Sequence, residues 1–336
     1  MTQQPTTVSV IVCAYTEDRW DDLVASVESV RGLPEAPEVL LVVDHNDGLL
    51  ARSRDRWSDV VVAANESRQG LSGARNTGVA LASGDIVAFL DDDASAEPSW
   101  LTHLLGPFAD PDVAGVGGHA TPVWPEGGNT LYPAELLWIV GCSHRGLPTR
   151  LSDVRNVIGC SMAFRRDAVL SVGGFNLDTG RVGTIPLGGE ETDLCIRIRQ
   201  ADPSARIVLE PRADVRHHVT AGRVTWAYLR RRSFYEGVSK AALSRQLGAS
   251  DSLSSESAYL RRDIPRAALR ELRSVGRGGA GRLAALVTAV VATVAGYALG
   301  SLRRASLAPV DPSAGQVLPA RGSARPAAVG PTDGAP

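Results

Sequence analysis

The chain has 336 residues, 44% hydrophobic and 21% charged, which excludes a disordered polymer and leaves room for more than a minimal domain. Its formal charge of −2 hides an asymmetry: residues 1–110 hold 18 acidic groups against 7 arginines, and residues 225–336 hold 7 against 15 arginines and one lysine, Lys240. Cys13, Cys142, Cys160 and Cys195 form no CxxC pair, so neither a zinc ribbon nor a secreted disulfide scaffold is indicated and a reducing cytosol is the simplest home.

Met1–Thr7 is polar and carries no charged segment ahead of an apolar run, so no cleaved signal peptide is expected. Val8–Ala14 then reads as a buried strand, Trp20–Val30 as a helix, Val39–Val43 as a second strand ending on Asp44, and Val60–Ala63 as a short third. Gly73–Ala82 reads as a helix opened by a Gly70/Gly73 loop, and Ile86–Leu90 as a strand ending on Asp91-Asp92-Asp93. A helix over Trp100–Phe108 and a strand near Val113–Gly117 follow. Thr121–Pro148, rich in Pro, Gly and Trp, reads as a long functional loop. Val157–Phe164 resumes as a strand, Asp193–Gln200 as a helix and Arg206–Glu210 as a strand, with basic helices from Trp226 onward. Strands alternating with helices predict an α/β fold with a mostly parallel sheet flanked by helices and a helical C-terminal extension.

Leu283–Leu302 has 20 residues without a charge, bracketed by Arg277, Arg282, Arg303 and Arg304. That length suffices to cross a bilayer, although the Ala, Val, Gly and Thr content makes insertion marginal. A stripe of Leu283, Leu286, Val287, Val290, Val291 and Val294 also fits a packed amphipathic helix. Residues 305–336, with six Pro, four Gly and eight Ala, read as a disordered tail.

Three motifs carry chemistry. Asp91-Asp92-Asp93 stands at a strand's carboxyl end, where ligands bind in open α/β sheets, and a hard divalent cation would relieve the mutual repulsion of such carboxylates and clamp a diphosphate. Gly188-Gly189-Glu190-Glu191-Thr192-Asp193 opens a helix with three carboxylates in four residues, more than a helix cap requires. One of them held near an acceptor could serve as a general base. Asn65–Gly78 places glycines before a helix, a geometry suited to anions, yet it matches neither the dinucleotide GxGxxG nor the P-loop.

In this order, Val8–Tyr15, Val39–Asp44, Gly70…Ala74-Arg75-Asn76…Gly78, Gly84-Asp85…Asp91-Asp92-Asp93 and Gly189–Leu194 resemble a family 2 glycosyltransferase of the GT-A type over roughly residues 7–245. Val215–Val219 with Arg231-Arg232…Glu236–Ala241 is similar to a bacterial branch related to enzymes that glycosylate polyprenyl-linked sugars. The resemblance implies that Tyr15 and Asp44 hold the nucleoside base, that Arg75 contacts the nucleotide side of the donor, and that Asp92 touches the ribose. It implies that Asp93 ligates Mg²⁺ or Mn²⁺, with His217 completing the site and His218 as the other candidate. Glu191 stands where the family usually has an aspartate as catalytic base, one methylene shorter. Glu190, Asp193, Arg231 and Arg232 are supporting or acceptor-side candidates.

The implied reaction is an inverting displacement from a nucleotide-diphosphate sugar, UDP-linked by resemblance, to a hydroxyl of a polyprenyl-linked sugar or cell-surface glycan. The expected organisation is a catalytic domain over 1–245, a basic helical extension over 246–304 with a membrane-associated or transmembrane helix at 283–302, and the tail at 305–336. The basic third then meets an anionic membrane surface at the inner face of the cell membrane, or a lipid-linked acceptor, and not nucleic acid. Two alternatives stand beside this. A sugar-phosphate nucleotidyltransferase would want a Gly-rich, Arg/Lys-bearing loop after strand one, where Cys13-Ala14-Tyr15-Thr16-Glu17 is found. An inactive membrane-associated scaffold would have no need of intact Asp91–Asp93 and Glu190–Asp193.

Overall fold

The strand Val8–Ala14 (β1) is almost wholly buried, as its uninterrupted apolar run requires of a strand covered on both faces. In the computed structural model, which describes residues 7–179, 188–248, 259–274 and 278–302, it lies between Glu38–Val43 (β2) and Ile86–Asp91 (β4), parallel to both. Val61–Ala64 (β3) extends this parallel half beyond β2. Val10, Val12, Leu41 and Leu90 pack under Leu23 and Val27 of Trp20–Arg31 (α1), while Ile11, Val42 and Phe89 pack on the other face under Ala74 and Val79 of Leu71–Leu81 (α3). Each fully buried Val, Leu or Ile contributes about 1.5–3 kcal/mol, so both covered faces stabilise this half-sheet.

The remaining strands are Ala94–Ala96 (β5), Val113–Val123 (β6), Ser152–Asp153 (β7), Ser161–Arg165 (β8) and Arg206–His218 (β9). They continue the nine-stranded sheet in the order β3-β2-β1-β4-β8-β6-β9-β5, with β7 beside β9. Pairing there is mixed: β8 is antiparallel to β4 and β6, β6 is parallel to β9, and β5 is antiparallel to β9. β6 and β9 run well past the apolar runs at 113–117 and 206–210, because polar Thr121 and Arg216 occupy exposed positions on strands that still pair.

Asp47–Arg56 (α2) is a helix that apolar periodicity did not announce. Its N-terminus is set by Asn46, whose side chain accepts a hydrogen bond from the Leu49 amide (2.9 Å). The helices that follow are Trp100–Leu105 (α4), Arg166–Ser171 (α5), Glu190–Ala201 (α6), Trp226–Leu247 (α7), Ile264–Arg273 (α8) and Gly279–Leu302 (α9). The stretch expected as a loop over 121–148 contains a 3₁₀ segment, Ala134–Val140, whose Leu136 and Ile139 bury with Leu229, Ala267 and Leu286 from α7, α8 and α9. The C-terminal extension is therefore packed onto the sheet domain through a third apolar cluster. The expected tail at 305–336 and residues 249–258 of the extension lie outside the described residues.

Candidate active site

The carboxyl ends of β1, β2 and β4 open on a cleft whose walls include Tyr15, Arg19, Asp44, Asp91–Asp93, Trp138, His217, Arg223 and Arg232. Asp44 is buried, and its two oxygens accept from Asn65 Nδ2 (2.6 Å) and the Gly70 amide (2.9 Å). It thereby ties the loop before α3 to the end of β2 while lining the cleft. Tyr15 is exposed, its hydroxyl accepting from Arg19 Nη2 at 3.3 Å, which leaves a ring face available for stacking on a planar base.

Asp93 is the most heavily paired group in the cleft. Its Oδ2 accepts from Arg223 Nη2 (2.9 Å) and Arg19 Nη1 (3.2 Å), and its Oδ1 lies 3.2 Å from His217 Nε2. Burial alone would raise its pKa, but His217, Arg223 and Arg19 outweigh burial and hold it ionised. Asp92 is pushed up to about 7 by burial and by the charge of Asp93, with Arg19 opposing. Burial would lower His217, yet the facing Asp93 carboxylate raises it to about 10. Successive side chains of a strand point to opposite sides, so His218 instead meets Asp22 Oδ1 (2.7 Å) and only its backbone amide reaches Asp93.

These groups fit a divalent cation. Asp92 Oδ1 pairs with Arg19, while its buried Oδ2 has no hydrogen-bond partner among the described residues. Asp93 Oδ1 and the His217 ring line the same cleft, and together they are donor types that Mg²⁺ and Mn²⁺ take, His217 once its Nε2 has given up its proton. Asp91, Cys160 and His217 also converge, their nearest donor atoms within 4.8 Å of one another. Burial raises the Cys160 thiol well above its ordinary value, so it stays protonated and is the poorer ligand.

Arg75 lies behind this wall, 98% buried: Nη1 donates to Glu190 Oε1 (3.1 Å), and Nη2 reaches the Gly159 carbonyl (3.1 Å) and Asp91 Oδ1 (3.4 Å). It joins the two acidic motifs across the sheet. Arg75→Ala is expected to cost about 3–5 kcal/mol by leaving Glu190 buried and unpaired, a fall in Tm on the order of 10 °C. Thermal unfolding checks this, and adding Glu190→Gln should recover part of the loss. An unchanged Tm with only a weaker donor KM would instead make Arg75 a direct donor contact.

Gly189 starts α6 at φ +100°, where an added Cβ would also stand 2.8 Å from Leu243 Cδ1. This turn aims the first helical residues at opposite tasks. Glu190 meets Arg75, and half-buried Glu191 is pushed up to about 8 by burial and by Glu190, with Arg75 opposing. Gly189→Ala should destabilise by about 1–3 kcal/mol, and Leu243→Ala should relieve the contact but not the backbone strain. Equal Tm for Gly189→Ala and the parent chain would refute the strain. Asp193, 99% buried, is bound by Arg197 through Nε (2.7 Å) and Nη2 (2.6 Å), and Arg197 in turn donates to the Val172 and Gly174 carbonyls.

Comparison with known proteins matches residues 9–173 to the model of glycosyl transferase family 2. The glucosyl-dolichyl phosphate glucuronosyltransferase of Haloferax volcanii is 37% identical over 238 residues, covering 69% of this chain and 76% of the relative. The chain belongs to glycosyl transferase family 2. It is a glycosyltransferase that uses a nucleotide-sugar donor. The pre-mycofactocin glycosyltransferase of Mycobacterium tuberculosis is 33% identical over 79% of this chain and 52% of the relative. A mannosyltransferase from Pyrobaculum calidifontis, solved with GDP-Man and Mn²⁺, shares the fold with a TM-score of 0.55 at 18% identity, covering 87% of this chain and 88% of its own. GalNAc-T7, solved with UDP, GalNAc and Mn²⁺, gives 0.50 at 19% identity, covering 71% and 51%.

In this family 2 glycosyltransferase the structure separates two neighbours on α7. Arg232 lines the cleft, donates to Glu236 Oε2 (2.8 Å) and lies over the Trp138 ring. Arg231 lines a groove between α7 and α9. Glu191 is absent from the cleft wall among the described residues, and its charge is felt at Arg75 and Arg232. Arg19 and Arg223, the two arginines on Asp93, escaped sequence reasoning. Arg19 sits four residues after Tyr15, a spacing that hinted at it, whereas Arg223 lies in a short 3₁₀ turn with no pattern.

Proposed function

We propose that the transferase is inverting and metal-dependent, and that it moves a sugar from a UDP-linked donor to a hydroxyl of a lipid-linked sugar or cell-surface glycan at the cytoplasmic face of the membrane. The observation that carries this is the pairing of Asp93 with His217 in a cleft that Asp92, Tyr15, Asp44 and Arg232 also line. The name of the Haloferax relative, which specifies a dolichyl phosphate, supports the lipid-linked acceptor.

Tyr15 and Asp44 hold the base, and Asp92 meets the ribose. Asp93 and His217 would hold Mg²⁺ or Mn²⁺, which supplies positive charge to the leaving diphosphate. Arg19 and Arg223, already on Asp93, add fixed positive charge there. Glu191, deprotonated, takes the acceptor hydroxyl's proton as that oxygen bonds the anomeric carbon and the bond to the diphosphate oxygen breaks. Arg232 lies next to this step, and Arg75 holds Glu190 in place beside Glu191.

The test is transfer from a panel of nucleotide sugars to a prenyl-phosphate sugar and to a soluble sugar, with and without Mn²⁺, reading the product's anomeric configuration by NMR. Retained configuration, or full activity after chelation, would overturn the reading.

A further inference from the structure

α9 has two unlike faces. Ala285, Ala289, Gly296 and Gly300 are buried, whereas Val287, Val291 and Val294, about half a turn away at roughly 100° per residue, are 56%, 61% and 58% exposed. Its most apolar stretch has a mean hydropathy of 2.0 and is only 28% buried, unlike the core helix of a soluble domain.

The buried face meets α7 at backbone distance. A methyl group at Gly237 would stand 2.0 Å from the Thr293 carbonyl oxygen, and one at Gly296 would stand 1.9 Å from that of Phe234. Thr293 Oγ1 donates to the Ser233 carbonyl (3.1 Å) and Arg245 Nη1 to the Gly300 carbonyl (2.6 Å). These contacts advance together along both helices, so α7 and α9 run side by side in the same direction. α7 is charged along its length, with Arg230 and Arg231 exposed beside Val287 and Val291, and with Arg232 and Lys240 paired to Glu236. A helix lashed this way could cross the hydrocarbon core only by drawing those charges in with it, at great cost.

The surrounding charge is one-sided. α9 holds no acidic residue, and the single acidic residues of α7 and α8, Glu236 and Glu271, are both ion-paired. α8 repeats the pattern, exposing Leu269 and Leu272 beside Arg266 and Arg273.

We propose that α9 lies flat in the interface of an anionic bilayer, its valine row in the acyl boundary and Arg230 and Arg231 among the lipid phosphates. This deepens the membrane-face reading above and rests on it. It replaces a choice between spanning and soluble packing with a third arrangement, in which α7 acts as a strut between bilayer and cleft. Arg231 and Arg232 are one step apart on that helix, so a phosphate held at the bilayer surface lies one helix face from the cleft.

The full chain should float with vesicles containing phosphatidylglycerol, should not float with pure phosphatidylcholine, and should leave native membranes on alkaline carbonate washing. Val287→Asn with Val291→Asn should lower vesicle partitioning by about tenfold or more, with Tm and transfer to a soluble acceptor unchanged. Arg230→Gln should lower it about fivefold in low salt. Retention through the alkaline wash, equal flotation with both vesicles, or no effect of the double variant overturns the proposal. A chain that floats as expected but transfers no sugar to a soluble acceptor supports the anchor and counts against the transfer chemistry proposed above.

Discussion

Glu191→Gln should lower kcat by about 10³-fold, close to 4 kcal/mol of barrier, with little change in donor binding. The amide keeps the size and hydrogen-bonding reach of the carboxyl but cannot take a proton. Its pH dependence is the sharper readout. Burial and Glu190 push Glu191 up to about 8, and a general base works only when deprotonated. Activity, read as kcat/KM, should therefore rise about tenfold per pH unit below pH 8 and level off above it. Glu191→Asp should keep that rising limb at reduced rate, while Glu191→Gln should flatten it. Persistence of the limb in the glutamine variant would place the base elsewhere. Glu190→Gln separates the neighbours: its loss should appear in Tm, through Arg75, and the rising limb should persist but move to lower pH, because the Glu190 charge that raises Glu191 is gone.

Much of the fold was legible because its central strands are buried on both faces. VSVIVCA, EVLLVV and IVAFLD admit no other environment, and the aspartates that end the last of them fall where a parallel sheet opens. What escaped was structure whose stability comes from partners distant in sequence. β6 and β9 hold each other past their apolar runs, and the 3₁₀ segment at 134–140 is fixed by Leu229 and Leu286, contributed by α7 and α9.

The site divides in the same way. Asp93 lies against His217, with Asp92 in the same cleft, and strand alternation turns His217 and not its neighbour toward them once β9 is known to reach residue 218. Arg19 and Arg223 are over 200 residues apart, and only the cleft brings both to Asp93. Asp193, Glu190 and Arg75 carry the right chemistry at the right spacing, yet Glu190 pairs with Arg75 and Asp193 with Arg197, so they brace the wall of the cleft from behind. Motif spacing reports which residues approach a site. Burial and pairing report which of them face it.

Asp93→Asn should abolish Mn²⁺-dependent transfer, a loss on the order of 10³-fold, and weaken Mn²⁺ binding measured by paramagnetic resonance or calorimetry. This one carboxylate faces His217, Arg19 and Arg223 at once. Removing its charge takes away a cation ligand and also the group that neutralises two arginines in a buried place. The two arginines would then repel an incoming cation without a compensating charge, so metal affinity should fall further than the loss of one ligand predicts. Asp92→Asn makes the contrast. Asp92 is pushed up to about 7 by its surroundings, so near neutral pH its charge is partly absent already and the variant should lose less metal affinity than Asp93→Asn. A circular dichroism melt separates loss of metal from loss of fold: Asp93→Asn that unfolds cooperatively but binds no Mn²⁺ supports the assignment. Equal Mn²⁺ affinity in the parent chain and Asp93→Asn would move the cation to the Asp91 side of the cleft.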